Sequence, residues 1–195
     1  MAQQDPEPTE VNRLEELEAR LTPEERARRE AALRLVRTYG DPALRAKARP
    51  IERFDAELAA EARRMGQIMH DSIGIGLAAT QLGMLHRLLV YRVEPDAPIA
   101  VVVNPEIEWA SNDEEVLDEG CLSLPRVLVD VERPIHVRVR ARDETGAPQL
   151  IEASGLEARV LQHEIDHLDG VLILDRTTRE QRKQALRALR EIAAA

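Results

Sequence analysis

The sequence predicts an α+β domain. Short Val-, Leu- and Ile-rich segments fill the middle of the chain, and helical periodicities lie on both sides of them. Within that block Ile135-His136-Val137-Arg138-Val139-Arg140 alternates strictly between apolar and polar residues. Strict alternation marks an antiparallel strand with one face in the core and one in water. Strands grouped between helices, with no repeating strand–helix alternation, give α+β. A length of 195 residues suits one ordinary domain, and an aromatic content of 2% leaves Leu, Ile, Val and Ala to build its core.

The elements follow in order. Residues 1–10 are rich in Pro and acids without apolar periodicity and read as a disordered lead. From Val11 to Arg37 the pattern is helical, with Leu14, Leu17 and Leu21 on one stripe. Thr22-Pro23-Glu24-Glu25 has the form of a capping box, so two short helices or one kinked helix are compatible with this stretch. Tyr39-Gly40-Asp41-Pro42 is a turn. Glu52 to His70 is the next helix, with Phe54, Leu58, Met65 and Met69 on one face. Strands are predicted at Arg87–Val93, Ile99–Val103, Arg126–Val131, Ile135–Ala141 and Gln149–Ala153, the last two joined by Asp143-Glu144-Thr145-Gly146. Ser154-Gly155-Leu156-Glu157 reads as a capping box opening a helix that ends at Asp169-Gly170. A last helix starts near Thr177, capped with Glu180.

Composition excludes several functions. The 27 Lys and Arg against 36 Asp and Glu leave a net charge of -9, which argues against wrapping DNA by phosphate neutralisation. One Trp, one Phe and two Tyr cannot provide broad stacking platforms for single strands. A single Cys excludes an internal disulfide and fits a reducing compartment. No apolar run approaches the roughly 18 residues that span a bilayer. Met1-Ala2-Gln3-Gln4-Asp5-Pro6-Glu7-Pro8 lacks the form of a secretory signal, so the expected location is the cytoplasm.

Three clusters carry chemistry. His163-Glu164-Ile165-Asp166-His167 is an H-E-x-x-H sequence. Four residues exceed one helical turn only slightly, so both imidazoles project from one face and can share a metal ion. Glu164 lies about 100° round the helix, able to reach water at the site without occupying the coordination site. Two surface histidines on an ordinary amphipathic helix are the plainer reading. A tetrahedral site needs a further protein ligand. No His follows Gly170, and upstream stands Cys121 in Glu119-Gly120-Cys121-Leu122-Ser123. A lone Cys is commonly a small buried hydrophobe; here Gly120 and Ser123 suggest an irregular segment from which a thiolate could enter a cleft, as a soft ligand for Zn or Fe. The third cluster is Gly74-Ile75-Gly76-Leu77-Ala78-Ala79-Thr80-Gln81, either a tight turn or a backbone that something must approach closely. Gln81 can donate two hydrogen bonds.

Together the clusters resemble bacterial peptide deformylase, whose signature is G-x-G-x-A-A-x-Q, E-G-C-x-S and Q-H-E-x-D-H in that order. The matches are Gly74, Gly76, Ala78, Ala79 and Gln81; then Glu119, Gly120, Cys121 and Ser123; then Gln162, His163, Glu164, Asp166 and His167. The resemblance covers roughly residues 40–190, including the opening Gly40-Asp41-Pro42-Ala43-Leu44-Arg45. It implies antiparallel sheets packed around a central metal-binding helix, with extra N-terminal helices and a C-terminal helix. It also divides the chain into an extension, residues 1–38, and a deformylase-like catalytic domain, residues 39–195.

The implied activity is removal of the formyl group from the N-terminal formyl-methionine of new polypeptides, with release of formate. Cys121, His163 and His167 would bind one divalent metal, Fe(II) first, with Zn, Ni or Co able to take the site. Glu164 would take a proton from water and give it to the departing amine. Gln81 and the backbone N–H of Leu122 would donate to the oxygen that gains charge. Ile75, Leu117, Leu156 and Val160 correspond to the methionine pocket, each also explicable as core packing, and Gly76 would present backbone to the peptide. The chain departs from the family at Arg126, where many relatives carry Gly or Glu, and shortly after, where a basic residue often found near the substrate backbone is replaced by Leu128 or its neighbours. His70, His86 and His136 match no motif.

Arg176, Arg179, Arg182, Lys183, Arg187 and Arg190 face only Glu180 and Glu191 as acids in the last segment. That basic helix either is a solvated face or contacts ribosomal RNA, as in some family members. The acidic run from Asp113 reads as solvated surface apart from Glu119. Two rival functions share the helix: a zinc peptidase cleaving internal bonds, which should show a downstream ligand, and a non-catalytic metal-stabilised binding module, which would need neither Glu164 nor Gln81.

Overall fold

A computed structural model describes residues 19–194 of the chain. The expected disordered lead and the start of the helical stretch at Val11 lie outside these residues. Helix α1 (Pro23–Leu33) opens with the expected capping box: Thr22 Oγ1 accepts from the Glu25 N–H, and Glu25 returns the bond to the Thr22 N–H. Helix α2 (Ala56–Asp71) begins four residues later than its periodicity suggested, because the Asp55 carboxylate accepts from the N–H groups of Glu57 and Leu58 and so fixes the first turn.

Seven strands follow: β1 (Gly76–Ala78), β2 (Leu88–Tyr91), β3 (Ala100–Ala110), β4 (Glu114–Cys121), β5 (Leu124–Pro134), β6 (His136–Arg142) and β7 (Pro148–Ser154). They form a five-stranded antiparallel sheet in the order β1-β2-β3-β6-β7 and a separate β4–β5 hairpin. Helix α3 (Leu156–Leu168) packs on one face of the sheet, and α1 and α2 pack on the other. Strand β2 shows the division: Leu89 and Tyr91 join the α3 side, Leu88 and Val90 the α2 side. Helix α4 (Arg179–Ala194) lays Ala185 and Leu189 against Leu124, Val127, Val129 and Val131 of the hairpin. The largest fully buried side chains are Leu, Met and His167, the aliphatic core that the scarcity of aromatics requires.

Several local readings are corrected. Strand β3 runs on past Val103, because Asn104 and Pro105 sit at a register shift instead of ending the strand. Asn104, at φ 53°, uses its amide to bond both the N–H and the carbonyl of Ile51, standing in for a neighbouring strand. The segment around Glu119 and Cys121 is the end of strand β4, and the acidic run before it is the exposed start of the same strand. The segment containing Gly76 is the edge strand β1, paired with β2.

The capping box at Ser154 does not form. Ser154 is held in the ladder opposite His136, with its Oγ 2.8 Å from that ring, and Glu157 accepts from the Tyr91 hydroxyl. Gly155 instead makes the strand-to-helix corner at φ 58°. Helix α4 is capped by Thr178 on the Gln181 N–H, one residue beyond the expected pair. The hairpin between β6 and β7 forms as expected, with Asp143 Oδ1 accepting from Thr145 and Ala147.

Candidate active site

Three pieces of chain meet at the site: the 3-10 turn Ala79–Leu82 after β1, the tip of the β4–β5 hairpin, and the middle of α3. The turn is tied to the helix by Thr80 Oγ1, which donates to the carbonyl of His167 at 3.1 Å. The i, i+4 spacing brings the rings of His163 and His167 to 4.9 Å between centroids, inclined at 68°. Register then supplies Cys121. It pairs with Leu124 across a two-residue turn, Leu122-Ser123, and a register shift beside Gly120 turns its sulfur toward α3. Cys121 Sγ lies 3.2 Å from His167 Nε2, and the donor atoms of Cys121, His163 and His167 all lie within 4.8 Å of one another.

This donor set fits a metal ion. Two ligands of a tetrahedral ion at ordinary Zn–S and Zn–N lengths stand about 3.5 Å apart, close to the sulfur–nitrogen distance here. One thiolate and two imidazoles suit Fe(II), Zn, Ni or Co and not the oxygen-seeking Mg or Ca. Cys121 and His163 keep some solvent exposure, whereas His167 is fully buried.

The ring of His163 is oriented from behind. Its Nδ1 lies 3.0 Å from Glu119 Oε2, which leaves Nε2 for the cluster. Glu119 is itself gripped: Arg133 Nε and Nη2 donate to its two oxygens at 2.6 and 3.0 Å, and Arg159 Nη1 donates to Oε1 at 2.7 Å. Arg133 also donates to Asp166 on α3, which takes two further bonds from Arg176. Burial alone would raise the Glu119 pKa, but hydrogen bonds from His163 and Arg133 hold it well below the usual carboxylate range.

Glu164 has the opposite surroundings. It is buried, its Oε2 has no hydrogen-bond partner among the described residues, and burial pushes its carboxyl up to about 7. The carboxylate lies against Gly76, where a Cβ would come within 2.4 Å of Glu164 Oε1. Only a glycine fits between β1 and this side chain.

Of the remaining expected residues, Gln81 is buried with its Oε1 accepting from the Ala78 N–H and its Nε2 3.3 Å from Ser123 Oγ and 3.7 Å from Cys121 Sγ. Both donors of the amide thus face the hairpin tip. Leu122 is half-buried in the hairpin turn, its side chain against Gly74. Ile75, Leu117 and Leu156 are large apolar residues left exposed on site-bearing segments. Val160 is buried in the aliphatic core on α3. The histidines outside the motifs are tied elsewhere: His70 to Arg92, His86 to Glu61 and His136 to Ser154. Arg126 stands at φ 59° in the register shift opposite Gly120 and Cys121.

Reading by motif missed Arg133 and Arg159. The signal was present: Val127, Val129, Val131 and Arg133 share one face of β5, and Arg159 stands in the apolar run before His163. A cation on an apolar face must be paired inside.

A helix that presents two imidazoles and a carboxyl, joined by a thiolate from a neighbouring hairpin, defines a metal-dependent hydrolase. A family model for polypeptide deformylase matches residues 33–183. The chain is similar to a Picosynechococcus peptide deformylase, 46% identical over 165 residues that cover 79% of this chain and 88% of the relative. An Acidothermus cellulolyticus peptide deformylase is 44% identical, with 82% and 87% covered. Among solved structures, a Synechococcus elongatus peptide deformylase in complex with actinonin superposes with a TM-score of 0.76 at 44% identity, covering 78% of this chain and 85% of that one. The Thermotoga maritima peptide deformylase superposes with a TM-score of 0.71 at 41% identity, covering 73% and 96%. The chain belongs to the polypeptide deformylase family, metallohydrolases that remove the formyl group from the N-terminal methionine of nascent peptides.

Proposed function

We propose that Cys121, His163 and His167 hold one divalent ion, Fe(II) in the cell with Zn, Ni or Co as possible replacements. The observation that carries the reading is the pairing of this donor set with a buried, partly unpartnered Glu164 carboxyl on the same helix. When bound, the ion polarises the formyl carbonyl and makes water nucleophilic near neutral pH. Glu164 accepts the proton that the attacking water gives up. It then delivers that proton to the departing amine as the C–N bond breaks, so that formate and a free methionine amine leave. A carboxyl raised to about 7 is suited to both steps. The Gln81 amide and the Leu122 N–H donate to the former carbonyl oxygen as it gains charge. Ser123 and the Ala78 N–H keep the Gln81 amide from rotating.

The methionine side chain is received by Ile75, Leu117 and Leu156, with Val160 beneath them, and the backbone of Gly76 lies along the peptide. Residues 1–38 form an extension and residues 39–195 the catalytic domain, in keeping with a family match that begins at residue 33. The enzyme works in the cytoplasm, meets nascent chains and does not use DNA or membrane as a partner. No helix of the described residues is long and apolar enough to cross a membrane. Lys183, Arg187 and Arg190 are exposed on α4, away from buried Ala185 and Leu189, and form a basic face toward ribosomal RNA, with Arg182 at its edge paired to Asp175.

The test of the activity is formate release from formyl-Met-Ala-Ser by anaerobically prepared Fe(II) protein, beside Cys121→Ala. Release that the substitution abolishes together with bound metal is expected. Equal release from both proteins would overturn the assignment. For the ribosome, truncation after Arg179 should remove salt-sensitive co-sedimentation, and unchanged co-sedimentation would exclude α4 as the contact.

A further inference from the structure

Arg159 lies one helical turn before His163, on the same face of α3. Its relative exposure is 7%, and every contact of its guanidinium goes to the β4–β5 hairpin: Nη1 to Glu119 Oε1 at 2.7 Å and to the Val131 carbonyl at 2.9 Å, Nη2 to the Glu115 carbonyl at 2.7 Å. A buried guanidinium is costly to desolvate, and a residue of aliphatic shape would satisfy the packing here at less cost. Charge balance does not require it either, since Arg133 already meets Glu119 with two bonds.

What Arg159 adds is geometry. A carboxylate offers about four acceptor directions. On Glu119, Arg133 Nε takes one on Oε1, while Arg133 Nη2 and His163 Nδ1 take two on Oε2. Arg159 Nη1 takes the last, on Oε1. With all of them filled from strand β5 and helix α3, the carboxylate has no freedom to rotate away from the imidazole. We infer that Arg159 is a positioning residue for the metal centre: it locks Glu119, which holds His163 with Nε2 toward Cys121 and His167, and so slows loss of the ion. This rests on the reading that Cys121, His163 and His167 hold a metal.

The test uses full-length protein loaded with Co(II), whose visible spectrum reports ligand geometry. Transfer of Co(II) to excess chelator is timed well below each variant's unfolding midpoint. Arg159→Met should release the ion about 10- to 100-fold faster, the usual effect of removing an outer partner, with an altered visible spectrum. Arg159→Lys, which keeps a donor but cannot reach all three acceptors, should fall between. If Arg159 acts through Glu119, then Arg159→Met adds less than about twofold to the release rate of Glu119→Gln, because neighbours in one network are not additive. Release unchanged in Arg159→Met, or effects that multiply in the double variant, overturns the inference. Should Arg159→Met not fold, the lysine variant decides: faster release than wild type supports the role and equal release overturns it. Formate release by the same wild-type Co(II) protein separates the two readings. Absent turnover with Arg159-dependent release would sink the deformylase assignment alone, and a wild type that holds no Co(II) would remove the basis for both.

Discussion

Glu119 and Glu164 are both buried, both lie within reach of the same histidine, and behave as opposites. Glu119 is surrounded by donors from Arg133, Arg159 and His163 and is held ionised. Glu164 meets a glycine backbone, has an oxygen without a partner, and is pushed up to about 7. Burial is nearly equal, at 5% and 4% exposure, so burial does not set the difference. Partners set it. A carboxylate saturated with charge-assisted hydrogen bonds is a fixed anchor. One with few donors and an oxygen left without a partner can change its protonation state during a reaction. On the proposed function, Glu119 belongs to the side that holds the ion and Glu164 to the side that moves the proton.

The sharpest break of that contrast is Glu164→Gln. Its kcat for formate release should fall by about 10²–10⁴-fold, the usual contribution of a general base, with metal content unchanged. Loss of metal instead would place Glu164 on the anchoring side. Next comes Gly76→Ala, whose methyl would sit 2.4 Å from Glu164 Oε1 and displace the carboxylate. A displacement near 1 Å costs about 100-fold in kcat, and overpacking should take about 1–3 kcal/mol of stability in a denaturant titration. Wild-type turnover in that variant would mean that the carboxylate position is not critical.

Glu119→Gln should show the converse pattern. Metal affinity should drop about 10- to 100-fold and stability by about 3–5 kcal/mol, since buried Arg159 loses its carboxylate partner and buried Arg133 keeps only Asp166. Turnover per bound metal should suffer less than in Glu164→Gln. A variant with wild-type affinity would refute the anchor role.

The smallest effect lies at an ordinary carboxylate outside the site. Burial of Asp175 is outweighed by its hydrogen bond from Arg45, with help from the Leu172 N–H and the Arg182 charge, and its pKa is lowered. A lowered folded-state pKa gives stability above the unfolded value near 4 that is lost as pH falls through the folded value. The Tm difference between wild type and Asp175→Asn should therefore be small at pH 7 and shrink further below about pH 4. A difference that grows in acid would contradict the sign.

Much of the site was legible along the chain. His163, Glu164 and His167 are fixed by one helical period, so their common face follows from spacing alone. The motif order supplied Cys121 and Gln81, and the capping pair Thr22–Glu25 formed where it was written. Where a residue had two possible roles, the local signal was indifferent between them. Ser154-Gly155-Leu156-Glu157 has the form of a cap, yet the ladder opposite His136 claims Ser154, so Gly155 turns the corner. Asn104-Pro105 has the form of a strand end, yet Ile51 supplies the bonds that let β3 continue. Long-range pairing decided each case, and a short window does not contain it.

The sequence by itself determined the α+β class, the aliphatic core and the helix that carries the chemistry, because periodicity and composition act locally. Only the tertiary structure decided which glutamate is saturated with donors and held ionised and which keeps an oxygen without a partner and is raised. Arg133 and Arg159 come to Glu119 from 14 and 40 residues away, and Gly76 on strand β1 reaches Glu164 on helix α3. The ionisation of a buried carboxyl is set by what lies within hydrogen-bond distance in space. In this chain those neighbours are far apart in sequence.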